Sequence, residues 1–308
     1  MLQNFQISLD HQDLLEVVGK DSEKFLQGQL TCDLARLGEG QYGLGALCNN
    51  KGRVYANFRI LRHDERFYLV MPQGIGATAK TQLAKYIPFY KAEMTNASSQ
   101  FQRVGLAGPE ARTWLGRQLP DLPAPGTMTS LGNSLLLNLG GEDGRFEYWT
   151  PAGQPSPVTS SAIPEANSPA SWSALDMQSG LFFIEPEDIE AYTPEELNLD
   201  LAGFVSFSKG CYTGQEIVAR MHYRGKAGKR AFLAQGKAPQ GLQQASTITL
   251  SDSSAKVLGK PSNLLFIDDL FYFYSVLKTP LPEVPLQLNC SNDIVLPITS
   301  LSLPAYSD

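Results

Sequence analysis

Hydrophobic and polar positions alternate along much of this chain, with short helical stretches between. Leu14-Leu15-Glu16-Val17-Val18 reads as a strand that ends at Gly19. A short helix is expected next, opening at Asp21-Ser22, where either side chain can cap the first free N–H groups. Residues 53–60 alternate as Arg-Val-Tyr-Ala-Asn-Phe-Arg-Ile, and 67–71 read Phe-Tyr-Leu-Val-Met. With Glu65-Arg66 between them, they predict a β-hairpin. A helix is expected over 77–90, up to Pro88. Val104 to Gly108 then leads into a helix beginning at Pro109, whose missing N–H would have no partner in a first turn anyway. Leu135–Leu139 and Arg145–Trp149 predict a strand pair around Gly140-Gly141. Residues 151–171 hold five prolines and many Ser and Ala, which suits a surface connection. From Arg230 on, short strands (231–234, 247–250, 264–267, 270–277, 294–296) are punctuated by Gly, Pro and Asn-Asp, the pattern of a small antiparallel barrel.

Composition narrows the class. At 308 residues and 43% hydrophobic, the chain can bury more than one core. A net charge of −6 argues against a surface built wholly for nucleic acid. Cys32, Cys48, Cys211 and Cys290 are widely spaced, which suggests neither a zinc site nor a disulfide framework, and no metal ligands are expected. The N-terminus shows no secretory pattern, and the apolar stretch Leu264–Leu277 is broken by Asp268-Asp269. The expectation is a cytoplasmic protein with free thiols and no membrane partner.

The most informative segment is Lys209-Gly210-Cys211-Tyr212-Thr213-Gly214-Gln215-Glu216. Thr213 to Glu216 has the form of a capping box, so a helix should begin at Gly214 with Ile217, Val218 and Met221 on its apolar face. A thiol just ahead of a helix N-terminus, two residues from Lys209, is favoured as thiolate. The same spacing also fits an inert cysteine in a tight turn. Arg220, His222, Arg224, Lys226, Lys229 and Arg230 follow with no acidic residue among them. Such a patch suits an anionic partner, such as a carboxylate-bearing cofactor, phosphate or RNA; it also suits a solvated helix face.

The stretch KGCYTGQEIVARMHYRGKAGKR, residues 209–230, resembles the signature of the YgfZ family, folate-binding proteins related to the aminomethyltransferase of the glycine cleavage system. Asp21–Asp33, Lys51–Arg59 and Asn198–Phe207 extend the resemblance; 121–171 and the tail match loosely. It implies an α+β, GcvT-like fold: two intertwined α+β subdomains over 1–229 around a central folate-binding channel, then a C-terminal antiparallel β-barrel over 230–308. It implies tetrahydrofolate as cofactor, and a role in assembly or repair of iron–sulfur clusters, including those of enzymes that modify tRNA. Iron–sulfur enzymes would then be client partners.

Carried over by position, the resemblance makes Cys211 the reactive group with Lys209 beside it. Trp172 becomes the aromatic contact to folate, and Gln178, Tyr212, Gln215, Glu216 and Arg220 further binding residues. The sequence departs from the pattern at three places. Gln12 stands where the family places a second folate-contacting tryptophan. Ala56-Asn57 replaces the acidic pair of the transferases, and Gln178 replaces their glutamate. Loss of the acidic pair removes a general base and argues against aminomethyl transfer. One-carbon transfer, and a tRNA-binding module built on the 220–230 patch, are the competing expectations.

Overall fold

The computed structural model describes residues 4–119, 121–141, 143–156, 163–166, 168–224, 228–238, 248–254, 256–281, 285–290 and 294–304. Lys226, Thr247 and part of the 151–171 connection lie outside the described residues, as does the side chain of Arg224.

The chain opens with β1 (Phe5–Ser8), β2 (Gln12–Val18) and α1 (Ser22–Gln27). Asp21 stands at the α1 N-cap without a capping bond; its carboxylate accepts the Lys91 N–H at 2.8 Å instead, tying the helix start to a later turn. Next come β3 (Tyr42–Cys48), β4 (Val54–His63) and β5 (Arg66–Pro72). β4 and β5 form the expected hairpin, but its two-residue turn is Asp64-Glu65, both at positive φ. That is the turn whose twist matches the strands it joins. The helix expected over 77–90 is shorter: α2 spans Ile75–Leu83, and a separate 3₁₀ turn covers Ile87–Phe89.

A second block comprises β6 (Glu93–Asn96), β7 (Phe101–Ala107), α3 (Pro109–Gln118), β8 (Met128–Leu131), β9 (Ser134–Gly140) and β10 (Arg145–Pro151). α4 (Ala170–Gln178) and α5 (Gln215–Arg224) follow. The two N-terminal sheets interleave along the chain. One runs β3-β4-β5-β2-β6 and the other β1-β7-β10-β9-β8, so β1 and β2 are neighbours in sequence but belong to different sheets. This exchange intertwines the halves.

The tail contributes β11 (Lys229–Lys237), β12 (Ile248–Asp252), β13 (Val257–Gly259), β14 (Ser262–Ile267), β15 (Leu270–Lys278), β16 (Leu286–Cys290) and β17 (Ile294–Ser302). They pair antiparallel in the order β13-β12-β16-β17-β11-β15-β14, curled into a half-barrel. Its interior holds Phe232, Ala234, Leu250, Phe271, Phe273 and Leu288. The largest core lies between the β3–β6 sheet, α1, α2 and the 182–205 segment, with Phe25, Phe58, Phe182 and Phe204 fully buried. Tyr272 and Tyr274 of β15 reach into that core, so the half-barrel packs on the cavity-bearing part of the molecule.

Candidate functional site: a thiol loop and a central cavity

Cys211 is exposed, whereas Cys32, Cys48 and Cys290 are buried. Burial pushes the Cys32 and Cys48 thiols up to about 12. The loop that presents Cys211 is tied down on both sides. Lys209 is 8% exposed, and its ammonium donates to the carbonyls of Gln27 (2.8 Å), Leu30 (2.7 Å) and Cys32 (2.7 Å). An ammonium has three N–H donors, and here all three are used. Burial lowers its pKa to about 8. Lys209 therefore anchors the loop rather than serving the Cys211 thiolate directly, a correction to the sequence expectation. Its Nζ also lies 5.2 Å from the centre of the Tyr212 ring. Tyr212 is buried, and burial raises the pKa of its hydroxyl.

The expected capping box also changes partners. The Thr213 hydroxyl donates to Gln29 Oε1 at 3.0 Å, and Gln215 Oε1 accepts the Tyr212 N–H at 3.3 Å. The turn is closed one residue earlier than the box pattern implies, because Thr213 is drawn to the neighbouring segment. Gly214 has φ +85°, and a Cβ there would lie 2.4 Å from the Asn49 carbonyl oxygen, so only glycine fits. On α5, His222 stacks on Phe207 at 3.7 Å, and Tyr223 and Arg220 are exposed. Arg230 is not part of a free basic patch. It bonds both oxygens of Asp200, at 2.6 and 3.0 Å, and the Glu195 carbonyl at 2.9 Å.

The second feature is a cavity of about 320 Å³ between α4, β2, β5 and the 181–186 segment. Its walls include His11, Gln12, Met71, Met177, Phe183 and Glu185. A smaller cavity of about 230 Å³, lined by Tyr42, Gly141, Arg145 and Gln178, lies beside it. Arg59 and Leu181 line both. The wall between them is therefore a charged one. Arg59 and Arg145 both bond Asp176, the latter at 2.6 Å, and all three side chains are nearly out of water. Burial raises Glu185 to about 7, helped by Glu187 and Asp188. Asn57 fixes one wall: its amide donates to the Phe182 carbonyl at 2.8 Å and accepts the Ile184 N–H at 2.9 Å.

The structure divides the sequence-predicted site residues. Cys211, Lys209, Tyr212, Gln215, Glu216 and Arg220 belong to the loop and α5, and none of them lines either cavity. Gln178 lines the smaller cavity. Trp172 does not line the cavities. It is 0% exposed, with the Arg145 guanidinium 4.1 Å from its ring centre, and Gly105 leaves it room where a Cβ would come within 2.7 Å. One residue advances the helix by about 100°, so Ser173 and Met177 line the larger cavity while Trp172 faces the β1–β7 core, with Asp176, one turn on from Trp172, at the border between them. As a folate-stacking residue Trp172 is thus corrected to a core residue. Sequence reasoning missed His11, Arg59, Arg145, Asp176 and Glu185. For Arg59, Arg145 and Asp176 the available signal was charge inside otherwise apolar strands and an apolar helix; His11 and Glu185 lie outside both and gave no such signal.

Away from both features, Glu39, His63 and Asp64 bring potential ligand atoms within 4.8 Å of one another at the β4–β5 turn. Glu39 and Asp64 are exposed, and none of the three residues lines either of the two cavities described above.

Among known proteins, the GCVT N-terminal domain family matches residues 7–125. The chain is 38% identical over 229 residues to the tRNA-modifying protein YgfZ of Enterobacter sp. (strain 638), covering 73% of this chain and 70% of that one. It is 36% identical over 231 residues to the protein of the same name from Cronobacter sakazakii, covering 73% and 69%. Its fold is similar to that of glycine cleavage system aminomethyltransferase T from Bartonella henselae, with a TM-score of 0.77, 18% identity, and coverage of 98% of this chain and 85% of that one. No helix among the described residues is long and apolar enough to cross a membrane. With a third or more of its residues shared across most of its length, alongside the matching fold, this chain belongs to the YgfZ family.

Proposed function

We propose that the protein binds a reduced folate in the central cavity and uses Cys211 in thiol chemistry that supports assembly or repair of iron–sulfur clusters. Enzymes that modify tRNA are among the clients this reading names, in keeping with the names of its relatives. The observation that carries it is the contrast among the thiols: three are buried, and Cys211 alone is exposed, on a loop held by Lys209. Such a thiol can reach a cluster or a protein surface without the loop unfolding. The cavity supports the folate half. Its size suits a bicyclic ring, and its walls mix apolar side chains with a few buried polar groups.

One-carbon transfer is the weaker reading. Asn57 spends its amide on two backbone groups and has no basic oxygen to offer a substrate. A tRNA-binding patch is weakened by the pairing of Arg230 with Asp200. Two measurements test the proposal. In a host lacking this protein, Cys211→Ala should not restore the activity of cluster-dependent enzymes; full rescue would remove the thiol from the mechanism. Titration calorimetry should show tetrahydrofolate binding that is lost in Leu181→Trp, which fills the junction of the two cavities; equal binding by that variant would move folate elsewhere.

A further inference from the structure

We propose that an open groove along β3 seats an extended, apolar segment of another protein as an added strand residue, with a carboxylate of that segment over Arg36. On the reading above that protein is a cluster-bearing client brought to Cys211, so the identity of the partner rests on that reading.

Three observations converge on this groove. First, it exposes a free length of sheet edge. β3 is the outermost strand of its sheet. Successive residues of a strand turn their N–H and C=O groups to opposite edges. On the outer edge, the Tyr42 N–H bonds the Gly126 carbonyl at 3.3 Å. Two pairs further on, the Thr31 N–H bonds the Ala46 carbonyl, and the Ala46 N–H bonds the Thr31 hydroxyl, both at 2.9 Å. Leu44 lies between them with the same orientation, and among the described residues nothing bonds its backbone on that side. An outward N–H and C=O on one residue are what an extended chain pairs with when it joins a sheet.

Second, the groove is held open and has both apolar and charged features. It measures about 490 Å³ between β3, residues 32–37 and residues 203–208. The 32–37 segment is kept away from β3 by Gln27, whose amide donates to Asp33 and accepts the Leu34 N–H, both at 2.8 Å. Leu37, Leu44, Val205 and Phe207 give it apolar walls. Asp33 and Arg36 are its charged residues. The Asp33 carboxylate is already engaged by Gln27, the Ala35 N–H and Arg36. The Arg36 side chain is 74% exposed, and only its Nε approaches Asp33, at 3.4 Å. A guanidinium has five N–H donors, so the unspent charge at the mouth is positive and complements a carboxylate.

Third, the groove leads to the thiol. One wall, 205–208, runs straight into Lys209, whose ammonium bonds the Cys32 carbonyl of the opposite wall at 2.7 Å. Lys209 thus joins the two walls, and exposed Cys211 follows two residues later. At the rim, Phe207 stacks on His222, and Tyr223 beside it is 69% exposed.

The test titrates the full chain into a fluorescein-labelled peptide, Thr-Val-Thr-Val-Glu, and follows fluorescence anisotropy. Wild type should bind it saturably. The same peptide N-methylated throughout should bind at least about tenfold more weakly, because its backbone can no longer donate. Leu44→Pro removes the outward N–H and should weaken the unmodified peptide by about as much, whereas Leu44→Val, which keeps that N–H, should bind within about threefold of wild type. Replacing the peptide's Glu by Lys should weaken binding by about threefold, and Arg36→Glu should reverse that preference. Thermal melting shows whether Leu44→Pro folds; if it does not, the methylated peptide and the charge reversal carry the comparison. No binding to wild type, or equal binding of plain and methylated peptides, would overturn the docking groove while leaving the role of Cys211 standing. Self-association of wild type in sedimentation, abolished by Leu44→Pro or reversed in charge dependence by Arg36→Glu, would assign the edge to a second copy of this chain and overturn the client. Peptide binding as described, with full rescue of cluster enzymes by Cys211→Ala, would keep the groove and remove the thiol reading.

Discussion

Two centres of buried positive charge among the described residues, Lys209 and the Arg59–Arg145 pair, are solved differently. Lys209 is neutralised by no carboxylate bond; it meets three carbonyl oxygens within the 27–32 turn. Arg59 and Arg145 converge instead on one carboxylate, Asp176, from two different sheets and a helix. The first arrangement closes a loop against a neighbouring segment. The second builds a wall between two cavities from three remote parts of the chain. A saturated ammonium has no donor left for chemistry, which makes Lys209 a brace. The guanidiniums border open volume, which places them where a ligand would sit.

The difference predicts unequal costs. Asp176→Ala leaves two guanidiniums buried without their shared anion and should cost about 3–5 kcal/mol in urea unfolding. A loss below about 1 kcal/mol would mean the pair is not what closes the cavity wall. Lys209→Met strands carbonyls that have water only on unfolding, and should cost about 2–3 kcal/mol. It should also expose Tyr212 to chymotrypsin; wild-type stability and resistance would reduce Lys209 to a bystander.

Glu185 should show itself in pH dependence. Its folded pKa of about 7 lies above the ordinary 4.5, so the folded state holds its proton more tightly. That contribution is complete below pH 4.5 and is lost as pH rises toward 7, with a slope of at most about 1.4 kcal/mol per pH unit. Glu185→Gln should flatten this slope, and an unchanged profile would place the proton elsewhere. The smallest expected effect is Cys211→Ala, within about 0.5 kcal/mol of wild type because the side chain is exposed. Mass spectrometry after brief alkylation should find one modified thiol in the folded wild type and none in this variant; modification of Cys32 or Cys48 would show that the loop region opens.

Much of the framework was legible along the chain. Alternation over 53–60 and 67–71 marked the β4–β5 hairpin, and Pro109 marked the start of α3. The KGCYTGQE loop placed a thiol just ahead of a helix, and the structure has it there; that the thiol is exposed came only from the structure. The partners of that loop were not legible. Thr213 was free, on spacing, to cap its own helix, but Gln29 stands within 3.0 Å. Asp21 likewise serves Lys91 rather than α1. In each case a long-range bond outcompeted a local one that had only the helix end to offer.

What the sequence determined by itself was therefore the local and the periodic: which stretches are strands, where the thiol loop turns, and that a helix opens at Gly214, one residue before its observed start. The tertiary structure alone decided which side of each element faces the cavity. Trp172 and Ser173 are adjacent on α4, yet one is sealed in the core and the other lines open volume. Asn57 could have faced a ligand, but the path of residues 182–184 claims its amide. The reason is physical. Period and capping depend on near neighbours, whereas the fate of a buried charge, amide or indole depends on which distant segment arrives to meet it.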